Sequence, residues 1–121
     1  MSDALQTIQN RESSALFKTY NRYPLHIKKA SGTKLYDAEG REYTDFLAGI
    51  SVCNLGHCPP ELTETLCGQA NRLVHVSNLF YQEEQLELAE RLLKTCSQEK
   101  VFLCNSGAEA NEAAIKLARR Y

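Results

Sequence analysis

The chain has 121 residues, 43% hydrophobic and 24% charged, with three prolines and six glycines. That size and make-up fit one small globular domain able to bury roughly two thirds of its unfolded-chain surface. Fourteen basic against fifteen acidic residues give a net charge of -1, which leaves no basic footprint for nucleic acid or an anionic membrane.

The opening MSDALQTIQNRESS has neither the basic n-region nor the apolar h-region of a secretory signal. No apolar run approaches the ~18 residues of a membrane span. The five cysteines, Cys53, Cys58, Cys67, Cys96 and Cys104, read as reduced thiols in a chain with no export signal. The expected location is cytoplasmic.

Leu5, Ile8, Leu16 and Phe17 predict a helix over 5–20, its stripe interrupted at Arg11–Ser14 and the region closed by Pro24. Leu25–Lys28 alternates apolar and polar, as a half-exposed strand does. Lys34–Tyr36 and Glu42–Phe46 flank Asp37-Ala38-Glu39-Gly40, whose leading aspartate and closing glycine suit a tight reversal, so a hairpin is expected. Leu47–Val52 is a small-residue apolar stretch suited to close packing, and Asn54–Pro60 breaks the pattern.

A helix is predicted from Glu61 to about Leu73, burying Leu62, Leu66, Ala70 and Leu73. A second runs from Glu83 to about Cys96, burying Leu86, Ala89, Leu93 and Cys96, with Glu87/Arg91 and Glu90/Lys94 paired outside. Lys100–Cys104 reads as a short strand buried on both faces, and a last helix begins near Gly107. One such strand cannot build a parallel sheet, because parallel partners come through long crossovers. The expectation is that the chain is cut short of its fold.

Ser106-Gly107-Ala108-Glu109 has the form S-x-x-E, a capping box. In it Ser106 accepts from the Glu109 amide and Glu109 reaches back to the Ser106 amide. The same residues suit an anion: a buried strand leads in, and Gly107 lacks the Cβ that keeps a ligand from the backbone. The first amides of the helix then face the carboxyl edge of a sheet. The residue pattern leaves cap and cradle both open. Cys53, His57 and Cys58 raise a metal reading, but structural zinc takes four ligands and no second cluster completes the set. No metal is expected, and His57 is read as a turn residue bonded to backbone.

LCNSGAEANEAAIKLARRY resembles the phosphate-cup segment of class III (subgroup II) pyridoxal-phosphate aminotransferases, which are fold-type I proteins. KLYDAEGREYTDFLAGISVCNLGH is similar to their N-terminal hairpin and the segment lining the active-site mouth. HVSNLFYQEEQLELAERL is most similar to the acetylornithine branch. The likeness runs from about Phe17 to Tyr121 with motif order and spacing kept. It implies an α/β fold in which residues 1–52 form the N-terminal part of the small domain. Residues 53–121 would begin the large domain that binds pyridoxal 5'-phosphate. It also implies that Ser106, Gly107 and Ala108 hold the cofactor's phosphate. Ser51 and Val52, with Cys53 beside them, approach the substrate, while Asn78, Phe80 and Tyr81 reach the neighbouring subunit's site in a homodimer. Read from the residues alone, Phe80 and Tyr81 equally fit a hydrophobic staple before the second helix. Cys53 departs from the family, whose members often carry alanine or asparagine there. Glu109 and Glu112 are expected to turn away from the phosphate, Glu112 toward Lys116.

The implied activity is transfer of an amino group between N-acetylornithine and 2-oxoglutarate, in arginine biosynthesis. In the family, the lysine that joins the cofactor and the arginine that grips the substrate carboxylate lie far downstream of this segment. None of the seven lysines here matches, so no catalytic residue is nominated and the chain alone is expected to be inactive. The alternatives are another ω-aminotransferase, acting on succinyl-diaminopimelate, ornithine or 4-aminobutyrate, or a non-catalytic phosphate-binding module.

Overall fold

An aspartate, a left-handed glycine and two flanking β-leaning runs set the first clear element. In the computed structural model, which describes residues 3–121, three strands β1 (Ile27–Ser31), β2 (Lys34–Asp37) and β3 (Glu42–Thr44) pair antiparallel in the order β1-β2-β3. Leu35 lies opposite both Ala30 and Tyr43, and a bulge falls between Ile27 and Lys29. The β2–β3 reversal forms as the sequence predicts. Asp37 Oδ1 accepts from the amides of Glu39 at 3.0 Å and Arg41 at 2.8 Å, and Gly40 takes φ +80°. The expected strand Leu25–Lys28 is displaced toward Ser31, because β1 is fixed by its register with β2 rather than by its own alternation.

Five helices surround these strands in sequence: α1 (Asp3–Ala15), α2 (Ala48–Ser51), α3 (Pro60–Arg72), α4 (Glu83–Leu93) and α5 (Gly107–Arg120). The first stops short of the predicted Tyr20. Ser13 and Ser14 turn their hydroxyls onto the Asn10 carbonyl, both at 2.9 Å, a local competition that weakens a helix end. Pro60 opens α3 as its first residue, where its missing N–H costs nothing. The predicted end of α4 at Cys96 is also too late. The Leu92 carbonyl takes the Thr95 amide at 3.0 Å and its hydroxyl at 2.8 Å, which closes the helix at Leu93.

Burial differs more from expectation. Among the described residues only Leu5 and Asp37 are buried. The stripe Leu62, Leu66, Ala70 and Leu73 is exposed, as are Leu86 and Cys96, while Ala89 and Leu93 are half-buried. No second layer lies on these faces among the described residues. Val101–Cys104 carries no strand, and Phe102 is 72% exposed. A buried strand needs ladder partners on both sides, and none pairs with this one here. The chain divides into two compact units, Met1–Val74 and His75–Tyr121.

Candidate functional site

Two constellations carry the nominated residues, one in each unit. In His75–Tyr121 the step into α5 is a capped helix start. Ser106 is extended (φ −156°, ψ 159°) and its Oγ accepts from the Glu109 amide at 3.2 Å. Glu109 does not close the box on Ser106 as expected. Its carboxylate reaches one residue further, accepting from the Asn105 amide at 2.7 Å. The amides of Ser106, Gly107 and Ala108 therefore have no acceptor within the described chain. Nothing lies within 4 Å of where a Gly107 Cβ would stand. Glu112 pairs with Lys116 at 2.6 Å, as predicted, but Glu109 folds back over the helix start instead of turning outward. Arg119 and Arg120 stand in the last turn, where cations complement the dipole.

Also in this unit, Ser77 takes φ +76°, and the amides of Leu79 and Phe80 return to its Oγ and carbonyl, each at 3.3 Å. That turn presents Asn78, Phe80 and Tyr81 along an open groove shared with Val101 and Phe102. Tyr81 is fully exposed. It is therefore not stapled onto Leu86, the packing a hydrophobic staple would require.

Ser51 and Val52 lie in Met1–Val74, on a loop whose backbone is unusual. Through α2, Ala48, Gly49, Ile50 and Ser51 have φ of 47°, 61°, 57° and 63°. This is one turn of left-handed helix, closed by Ser51 N–H to the Leu47 carbonyl at 3.1 Å and Cys53 N–H to the Ala48 carbonyl at 2.8 Å. Left-handed backbone costs roughly 1–2 kcal/mol for each L-residue that adopts it, and three of these four are not glycine. The turn carries its side chains outward: Ile50 is 88% and Val52 81% exposed.

Asp45 and His57 hold the two ends of that loop. Asp45 Oδ1 accepts from the amides of Leu47 at 2.8 Å and Ala48 at 3.0 Å. Its Oδ2 lies 2.6 Å from His57 Nε2, with the two side chains 8% and 18% exposed. The His57 hydrogen bond, then those from the two amides, hold the Asp45 carboxyl below its ordinary pKa. His57 also exchanges backbone hydrogen bonds with Gly32, at 2.8 and 2.9 Å. The preceding Gly56 sits so close to that crossing that a Cβ would stand 3.3 Å from the Gly32 backbone. The sequence reading of His57 as bonded to backbone holds, but it missed the ring's partner. Among the described residues no group of His, Cys, Asp and Glu is placed to hold a metal, and no helix is long and apolar enough to cross a membrane.

The family described as aminotransferase class-III matches residues 16–121. An acetylornithine aminotransferase of Caldanaerobacter subterraneus subsp. tengcongensis is 53% identical over 91% of this chain and 28% of its own length. The structure of acetylornithine aminotransferase from Elizabethkingia anophelis superposes with TM-score 0.88 at 34% identity, over 95% of this chain and 30% of that one. Ornithine delta-aminotransferase from Plasmodium falciparum gives TM-score 0.86 at 34% identity, over the same 95% and 30%. The chain thus spans between a quarter and a third of the length of the relatives it matches.

Proposed function

This chain belongs to the class-III aminotransferase family, and from that premise we propose that it is the N-terminal part of a pyridoxal-phosphate-dependent enzyme moving an amino group between N-acetylornithine and 2-oxoglutarate. The observation that carries the reading is the trio of unpartnered amides at Ser106, Gly107 and Ala108 at a helix N-terminus, with the space that a Gly107 side chain would fill left open. That arrangement suits a phosphate dianion, since amide donors and helix dipole act together there. Near-half identity to acetylornithine aminotransferases supports the choice of amino donor. When bound, pyridoxal phosphate supplies the electron sink for amino transfer. This chain's own part is to hold the phosphate and shape the substrate side.

Ser106 starts the helix while Gly107 and Ala108 present amides to the phosphate. Glu109, a negative group near that position, has its carboxylate held by the Asn105 amide. Ser51 and Val52 face the amino donor, and Asn78, Phe80 and Tyr81 serve the neighbouring subunit's site in a cytoplasmic homodimer. Residues 1–52 belong to the small domain and 53–121 open the large one. The enzyme acts only when the parts beyond this segment are present.

Ornithine as donor is the second reading, favoured by the match to ornithine aminotransferase structures. The full-length protein, saturated with pyridoxal phosphate, should form glutamate from 2-oxoglutarate faster with N-acetylornithine than with ornithine or 4-aminobutyrate. A preference for ornithine would transfer the assignment to the second reading. No glutamate with any of these donors would overturn both.

A further inference from the structure

The function proposed above puts Ser51 and Val52 before the amino donor, in a backbone conformation that L-residues avoid. The turn's own backbone hydrogen bonds do not connect it to the rest of the unit. What connects it is Asp45, with one oxygen on the amides of Leu47 and Ala48 and the other on the His57 ring. His57 is in turn fastened through its backbone to Gly32, at the β1–β2 reversal.

We propose that Asp45 and His57 are positioning residues for the amino donor. Their side chains form one clamp that fixes the left-handed turn Ala48–Ser51 to the hairpin and so aims Ser51 and Val52. Both carboxylate oxygens of Asp45 are engaged inward and both side chains are largely shielded, so the pair acts through the loop and does not touch substrate. An ordinary Asx cap needs only the aspartate; the histidine is what turns a local cap into an attachment between two ends of the loop. The inference rests on the function proposed above.

The test uses the full-length protein with pyridoxal phosphate bound. His57→Ala should raise KM for the amino donor between about tenfold and a hundredfold, the scale of loss a misplacement on the order of 1 Å produces. The Kd for pyridoxal phosphate should stay at the wild-type value, because the amides at 106–108 are untouched. In the cofactor-free protein, hydrogen exchange at the Leu47 and Ala48 amides should accelerate. His57→Gln, whose side-chain amide nitrogen can occupy the place of Nε2, should return KM toward wild type. Should His57→Ala not accumulate as folded protein, Asp45→Asn is the comparison. It keeps the oxygen that takes the two amides but weakens the tie to the ring, and should also raise KM. Variants with wild-type KM would overturn the clamp, as would a loss of activity matched by an equal loss of folded protein. A wild-type enzyme without aminotransferase activity would instead overturn the function on which the clamp rests.

Discussion

Asp37 is the one carboxylate among the described residues whose side chain is wholly shielded, and it takes four hydrogen bonds, from the Glu39 and Arg41 amides, Arg41 Nε and the Tyr43 hydroxyl. Burial alone would push its carboxyl up. The Arg41 side chain and amide, the Tyr43 hydroxyl and the Arg41 charge outweigh it, and the pKa falls from 3.8 to about 2. A depressed carboxyl contributes stability that is complete above its unfolded value and lost as pH falls through its folded one. The hairpin should therefore keep this contribution at pH 4 and shed it toward pH 2. Carboxyl chemical shifts in the folded protein should titrate for Asp37 near 2, and in Arg41→Ala the midpoint should rise. A wild-type midpoint at the ordinary aspartate value would refute this. The turn itself was legible, since an aspartate and a glycine at that spacing act locally. The Asp45–His57 contact was not, because its partners stand 12 residues apart and nothing in either neighbourhood points to the other.

At the scale of elements, α5 shows how far local grammar reaches. The S-x-x-E pattern located the cap at Ser106, but the length of the glutamate side chain let it settle on Asn105, leaving the Ser106 amide free. This placement makes a clean substitution possible. Gly107 is the first helical residue, Ser106 before it is extended, and the space at Gly107 is open, so proline fits there without breaking the helix. Gly107→Pro removes one amide donor and puts ring atoms in the space that glycine leaves open to a ligand. A hydrogen bond to a charged group is worth about 1.5–3 kcal/mol. The Kd for pyridoxal phosphate in the full-length protein should accordingly rise between about tenfold and a hundredfold. Unchanged cofactor affinity would remove the Gly107 amide from the cup. The apolar run Val101–Cys104 reads as a strand but forms none here, because pattern cannot supply ladder partners. A strand exists only where another pairs with it, and so the run lies unpaired.

Over the whole molecule, helices and hairpin were readable because their signals are local, and burial was not, because a stripe records a need for cover and not the cover itself. Leu66, Leu79 and Phe102 are mostly exposed, and exposed apolar surface promotes association. In isolation the 121-residue polypeptide should unfold broadly on heating and associate as its concentration rises. A sharp melt of a dilute monomer would contradict this. The crossing of Gly32 and His57 has a consequence for the order of folding. Closing a chain loop costs about 0.6 kcal/mol more for each doubling of its length. The strands bring Thr33 against Asp45, whose amide donates to the Thr33 carbonyl at 2.9 Å, so only the separation of 12 positions between Asp45 and His57 remains to be closed. Hairpin first and the Asp45–His57 closure second is then the less costly order. The clamp on the left-handed turn that carries Ser51 and Val52 would therefore close only once the hairpin has formed.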